Sequence, residues 1–433
     1  MDKILLTNCY TLYKTKLTIY NKMYEYYKGN TDAITNYKFV TDRANAKINT
    51  NFLKKFVKEE ISYSVGNVIN YLSKSSNVDI LNDIDLNLSH WSENHDVDLM
   101  KTMLIHSEAY EIYYIGNESQ FSSRIISPRN GFALTDDFGK VILFMHIFQL
   151  AFGTVTNYID VYTDTDIIHY NESFSELGRD AHIFGVVPVG IAQLSPELEE
   201  DTLYKDIKGL QDSYETNLSD ISNEISDFRN AYLAFVGVNI EETDLPKMKE
   251  LGIIQIPTVG GKVEWLIKNI NDSFIQNTLT TVEDKMYQLS SHINNNEKMQ
   301  SNTSSLALRS RLISLEQKCK LNQGALEDCI KTRLKLLFVF LQFLKSKVYD
   351  YRDIKIKFTP NIPQDDTANA NIIAQLGDKV STETALSLFS FVENPVNEVK
   401  KIKEEQKSNS IGNSLLNPAV PPVKAVPDTV VVK

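Results

Sequence analysis

A chain of 433 residues with 42% hydrophobic and 23% charged content has the composition of a soluble globular protein, with one elaborate domain or two to three simpler ones. Its net charge of −11 argues against a protein that grips nucleic acid through a broad basic face, since counterion release needs clustered lysine and arginine and no such run stands out. The start, Met1-Asp2-Lys3-Ile4-Leu5-Leu6, turns polar at Thr7 without an apolar h-region, and the most apolar stretch, Leu334 to Leu344, is about half a bilayer span.

The first 200 residues read as mixed α and β. Helical spacing covers Tyr20 to Gly29 and Ala44 to Tyr71, where Ile48, Phe52, Phe56 and Ile61 recur every three to five positions. Glu108 to Ile115, Arg124 to Ile126, Val141 to Phe148 and Ile159 to Tyr162 read as strands, divided by the turns Gly116-Asn117, Pro128 to Gly131 and Asp136 to Gly139.

From Leu203 the apolar residues Ile207, Leu210, Tyr214, Leu218, Ile221, Ile225, Phe228 and Tyr232 follow in steps of four and three. They stack as one narrow stripe on a long helix flanked by Asp206, Asp212, Glu215, Asp220, Glu224 and Asp227. A second stripe runs Ile275, Leu279, Val282, Met286, Leu289, Ile293, a seam suited to helix-on-helix packing at a shallow angle. Between them, Ile253 to Ile256 and Val263 to Ile267 bracket Gly260-Gly261 and read as a β-hairpin.

Asn294 to Asn302 is polar and without periodicity, hence a loop. A long helix follows from about Ser304 to Val348, apolar on more than one side in its second half, with Gly324 as a candidate kink. Asp353 to Thr359 alternates as a strand; short helices are expected at Ala368 to Leu376, Thr382 to Phe389 and Pro395 to Gln406. From Lys407 the Ser/Asn-rich and then Pro/Val-rich composition reads as a disordered tail.

The sequence carries no recognisable catalytic motif. Cys9, Cys319 and Cys329 form no CxxC pair and read as reduced thiols. Asp83-Ile84-Asp85-Leu86-Asn87 imitates a calcium loop but carries Leu88 where glycine belongs and Asn94 where glutamate belongs. Gly260-Gly261-Lys262 lacks the upstream glycine and the hydroxyl of a phosphate loop, and no His-Glu-x-x-His or Gly-x-Ser-x-Gly occurs. Asp136-Asp137, Asp164/Asp166 and Asp365-Asp366 sit beside turn residues and read as solvated acids. No catalytic residue, metal ligand or cofactor site is expected; the expected class is α+β, mainly helical.

Ala46-Lys47-Ile48-Asn49-Thr50-Asn51-Phe52 through Gly66 and Ile125-Ile126-Ser127-Pro128-Arg129-Asn130 are the first of five stretches that, in order, resemble the portal protein family of tailed bacteriophages, the siphophage type: they are similar to its N-terminal helix and to its I-x-P-x-N turn. Phe184-Gly185-Val186-Val187-Pro188-Val189 resembles its G-x-I-P-V strand. Ser305-Leu306-Ala307-Leu308-Arg309-Ser310-Arg311-Leu312 with Leu315-Glu316 resembles the start of its long helix. Residues 385–399 resemble its C-terminal helical part.

The resemblance implies a portal fold: residues 1–200 as wing, 201–237 and 271–293 as stem helices, 238–270 as a small β-containing clip and 294–303 as tunnel loop. Residues 304–367 would be the long wing helix and strand, 368–406 a helical crown, and 407–433 the tail. It implies a twelve-subunit homo-oligomeric ring at one capsid vertex of the virion, assembled in the host bacterial cytoplasm. Double-stranded DNA would pass through its bore in packaging and ejection. The large terminase subunit, major capsid protein, scaffolding protein and head–tail adaptor would be its partners, with no membrane.

On that mapping Asn294, Asn295, Asn296, Lys298, Gln300 and Asn302 would face DNA. Glu241, Glu242, Lys247, Lys249 and Trp265 would form the docking face of the clip. Leu203, Ile207, Leu210, Leu218, Ile221, Ile225, Leu279, Val282, Met286 and Leu289 would be the packing stripe of the stem. Twelve copies at −11 each would carry about −132, and an acidic bore would leave the polyanion free to slide. The alternative expectation is a cytosolic coiled-coil scaffold that never meets DNA.

Overall fold

In a computed structural model, the described residues are 2–38, 45–150, 152, 156–228, 232–236, 253–256, 262–266, 272–294, 305–360, 366–389, 392 and 395–416. The chain divides into two compact units, 1–361 and 362–433.

The first unit begins with α1 (Lys3–Lys28), capped by the Asp2 carboxylate accepting from Ile4 N and ended by Gly29 at φ 96. Its first half was not expected from the sequence, where the polar residues between Leu6, Cys9 and Tyr13 mask the helical period. Those three bury against a sheet, while Tyr20, Met23 and Tyr26 bury in the central core. A single turn, α2 (Asp32–Asn36), leads to residues 45–51, which belong to neither helix nor strand, and then to α3 (Phe52–Val65). The helix expected over 44–71 therefore keeps only its middle. Asn51 sits at φ 41 and caps α3 through its side chain, which fixes where the helix begins.

β1 (Asn70–Ser73), α4 (Val78–Leu88) and α5 (His95–His106) follow. Asp83 and Asp85, weighed above as a loop, lie in α4; the Asp83 carboxylate accepts from Lys347 and from Tyr349 OH at 2.6 Å. Eight strands come next: β2 (Glu108–Ile115), β3 (Phe121–Ile126), β4 (Gly131–Thr135), β5 (Val141–Phe148), β6 (Tyr158–Tyr162), β7 (Asp166–Asn171), β8 (Glu176–Ala181) and β9 (Val189–Gln193). β4 to β8 form an antiparallel meander, and β2 lies between β3 and β9 in a second sheet.

Helix α1 packs on one face of the meander. On the other, Phe144 and Tyr162 meet Tyr110, Ile112, Ile126 and Val189 of the second sheet. Apolar surface buried in such a sandwich contributes about 25 cal/mol per Å².

α6 (Leu203–Phe228) leads to β10 (Tyr232–Val236), β11 (Ile253–Ile256), β12 (Lys262–Leu266) and α7 (Asp272–Leu289), and then α8 (Ser305–Lys345) runs unbroken through Gly324. α8 crosses β9 so closely that a Cβ on Gly190 would lie 2.7 Å from Cys329 Sγ and 2.6 Å from Tyr113 OH. Only glycine fits there. β13 (Ile354–Lys357) pairs antiparallel with β1, setting Lys357 opposite Asn70 and Lys355 opposite Leu72.

The second unit holds α9 (Asp366–Leu376), α10 (Thr382–Leu386), capped by the Ser381 hydroxyl, and α11 (Pro395–Leu416). α11 runs ten residues past the expected helix end at 406, so the start of the expected tail is helical.

Candidate functional site

The stripe on α6 is buried at one end and open at the other. Leu203 and Ile207 are in the core, Leu210 packs against it, Leu218 and Ile221 are half-buried, and Ile225 is 56% exposed. α7 packs along α6: Met286 is buried, Leu279 nearly so, Val282 is half-buried and Leu289 is 56% exposed. Tyr214 OH reaches Glu283 at 3.4 Å across the pair. Lys318 Nζ reaches both Ser290 O and Asp206, so Leu289 lies beside the start of α6 and Ile225 at its far end; both remain in solvent within one protomer.

Four acids of the flank, Asp206, Asp212, Glu215 and Asp220, are engaged within the chain. Asp212 accepts from Tyr26 OH at 2.8 Å and from Lys208 at 3.0 Å, and Tyr37 OH donates to Asp220 at 2.7 Å. Asp206 lies 3.7 Å from Lys318 Nζ, and its burial raises its pKa. Glu215 is fully buried, as are Gln211, Ser219 and Asn223. Spaced by four, these last form a buried polar ladder along α6. The spacing is plain in the sequence, but polar residues on a long helix read as its solvated face, and nothing local says that another segment covers them.

That segment is 46–53. Asn223 Oδ1 accepts from Ala46 N at 2.7 Å and its Nδ2 donates to Ala46 O at 2.9 Å. Ser219 Oγ accepts from Ile48 N at 2.9 Å, Glu215 Oε1 from Thr50 N at 2.9 Å, and Gln211 Oε1 from Leu53 N at 3.2 Å. Thr31 Oγ1 donates to the other Glu215 oxygen.

Where α7 ends, a buried cluster roots the loop assigned above to the tunnel. The His292 ring stacks on Phe56 at 4.3 Å, with Nδ1 2.8 Å from Ser290 O and Nε2 3.2 Å from Phe56 O. Burial and the Lys318 charge lower its pKa to about 3, so the ring is neutral and donates to one carbonyl only. Glu60, whose pKa is raised by burial, receives Asn322 Nδ2 at 2.7 Å and lies 3.2 Å from Lys318 Nζ. Of the loop residues, Asn294 is half-buried beside this cluster, whereas Asn295, Asn296, Lys298, Gln300 and Asn302 lie outside the described residues.

The small β segment is not a hairpin. β11 and β12 flank β10, which pairs parallel with β11 and antiparallel with β12. Tyr232, expected as the end of the helical stripe, opens β10 instead. A strand at 232–236 supplies a shared partner for two strands that the sequence shows as neighbours. Trp265 stands opposite Leu233 in register; Glu241, Glu242, Lys247 and Lys249 lie outside the described residues.

A second polar centre pins α8 to the sheets. Arg333 is buried and donates from Nε to Glu111 Oε1 at 3.0 Å and from NH2 to Asp96 at 2.7 Å, with its guanidinium 5.2 Å from the Trp91 ring. Glu111 also accepts from Tyr113 OH and Ser123 Oγ, each at 2.8 Å, and meets His95 Nε2 at 2.8 Å. This ring of donors and the Arg333 charge hold its carboxyl well below the usual range even against burial. Such a site has the form of a structural lock: both Glu111 oxygens are taken from within the chain. Among the described residues no group of His, Cys, Asp and Glu could hold a metal ion, and no helix is long and apolar enough to cross a membrane.

Comparison with known proteins matches residues 6–411 to the family described as phage portal protein, SPP1 Gp6-like. The portal protein of Bacillus phage SPP1 is 23% identical over 405 residues, covering 84% of this chain and 77% of that protein. Among solved structures, a chain from the neck of an empty GTA particle aligns over 78% of this chain and 89% of that one, with TM-score 0.44 and 10% identity. A chain from the neck of a native GTA particle aligns over 78% and 88%, with TM-score 0.42 and 8% identity.

Proposed function

The chain belongs to the phage portal protein family of the SPP1 Gp6-like type, a structural and non-enzymatic class, and on that premise we propose that it is a subunit of a DNA-conducting ring. Twelve copies would close around a bore at one capsid vertex of the virion, through which double-stranded DNA enters and leaves. The observation that carries the reading is the family match over residues 6–411, because it runs through both compact units rather than through one common module.

Within the ring, α6 and α7 would serve as stem, with the solvent-exposed Ile225 and Leu289, at opposite ends of the pair, meeting neighbouring copies. Residues 294–303 would line the bore with amides and hydroxyls, which contact a duplex without fixing a phosphate. The three-stranded β10–β12 sheet would belong to the clip and dock the large terminase subunit and the head–tail adaptor. Major capsid and scaffolding proteins would meet the wing. The intramolecular bonding of Asp206, Asp212, Glu215 and Asp220 would leave these four acids little part in the acidity of such a bore.

Negative-stain imaging with mass determination of the purified protein tests the assembly. Closed rings with an open bore and a mass of about twelve subunits are expected. Dimers or filaments without a bore would instead favour a coiled-coil scaffold.

A further inference from the structure

The contact between residues 46–51 and α6 has an unusual physical character. An extended chain advances about 6.6 Å per two residues, and a helix about 6.0 Å per four. That near-match lets Ala46, Ile48 and Thr50 address Asn223, Ser219 and Glu215 in turn. The intervening residues bond in another direction: Lys47 Nζ donates to Ile34 O at 2.9 Å, Asn49 Nδ2 to Gly29 O, and Asn51 Nδ2 to Tyr27 O at 3.2 Å. The segment is stitched on both sides by hydrogen bonds.

Almost nothing apolar is buried under it. Ala46, Lys47 and Asn49 are exposed, and Ile48 and Thr50 are half-buried, until Phe52 and Leu53 enter the core. The α6 face beneath is Gln211, Glu215, Ser219 and Asn223. If the segment lifted, water would replace its bonds and little hydrocarbon beyond the covered part of Ile48 would be exposed, so the hydrophobic term that makes core opening costly is small. Segments of this kind populate the low-stability end of a protein's local opening free energies.

We propose that Ala46–Asn51 is a releasable strap: a polar clasp that docks on the stem-side helix α6 and opens as a unit while α6 and α3 stay folded. Its opening frees one face of α6 between the wing core and the β10–β12 sheet. The inference uses contacts within one subunit and stands whether or not the ring reading holds.

Hydrogen exchange followed by mass spectrometry on the full-length protein tests it. In the wild type, the bonded amides of 46, 48 and 50 should be slowed about a hundred- to ten-thousand-fold, and those of α8 at least a hundredfold more. Asn223→Ala with Ser219→Ala should speed exchange across 46–51 by about ten- to a hundredfold, since each lost bond is worth about a factor of ten or less. Amides of α3 and of α6 at 207–220 should keep their wild-type rates. Three results would overturn the strap. Unprotected 46–51 amides in the wild type would mean no docking. Protection equal to that of α8 would mean no separate opening, and loss of α6 protection alongside the strap would make the segment an integral part of the helix.

Discussion

Arg333→Met is the sharpest test of how α8 is held. Methionine keeps much of the aliphatic stem but removes the fork that reaches Glu111, Asp96 and, at 3.4 Å, Tyr71 OH. Glu111 is then left as a buried carboxylate, still held by Tyr113, Ser123 and His95. Removing one member of a buried ion pair costs about 3–5 kcal/mol, and the surviving donors place this case near the lower end, about 3. For the compact unit of residues 1–361, unfolding entropy at about 2.1 cal/mol/K per residue gives roughly 0.76 kcal/mol/K, so Tm should fall by about 4 °C.

The measurement is thermal and urea unfolding at one fixed subunit concentration, because assembly adds its own stabilisation. Arg333→Met with Glu111→Gln should recover roughly half the loss, since the uncompensated charge is gone. The cycle therefore reads out the pair and not merely the cavity. A drop below about 1 °C for the single variant, or a double variant as unstable as the sum of its singles, would refute the claim that a charged lock holds the helix.

Four further outcomes are expected. Ile225→Asp with Leu289→Asp, at positions already exposed in the protomer, should abolish rings by size-exclusion mass analysis while leaving monomer Tm within about 1 °C; Leu210→Asp, against the core, should destabilise the monomer itself by roughly 2 kcal/mol or more. Replacing Asn294, Asn295 and Asn296 by arginine would add about 36 charges to a twelve-membered ring, so DNA retention should rise with a steeper salt dependence and packaging should stall; unchanged filling by intact rings would remove the loop from the bore. His106, His146 and His292 are buried, and burial lowers their pKa from 6.5 to about 4, 4 and 3. Their contribution is thus complete above pH 6.5 and falls as pH drops, by up to about 1.4 kcal/mol per pH unit each, and urea titrations from pH 7 to 4.5 should show a shallower fall in His292→Phe. His169 is raised above 6.5 by its bond to Asp160, with Asp180 adding to it. Its contribution, reduced by solvent, is present below pH 6.5 and lost as pH rises through the folded value, so wild type and His169→Gln should converge in stability at alkaline pH.

Much of the architecture was legible because it is local. The strands at 108–115 and 141–148, the long helices from 203 and near 305, and the buried second half of α8 follow from apolar period and turn residues, and so does the order of motifs that carries the family resemblance. The stripe on α6 was legible as a stripe. What it packs against was not: periodicity reports that a face is apolar and says nothing of which segment covers it.

Tertiary structure decided the rest, and at each point by a long-range polar contact or pairing. Gln211, Glu215, Ser219 and Asn223 look like a solvated flank until residues 46–53, over 150 positions upstream, supply backbone donors to them. β11 and β12 look like a hairpin until β10 comes between them, and Asp83 looks like a loop acid until Lys347 and Tyr349 reach it. A charged or amide side chain is stable in water and also in an interior whose partners offset its lost hydration. Its sequence context therefore cannot tell the two apart, whereas an apolar period marks the face of a helix or strand that is to be covered.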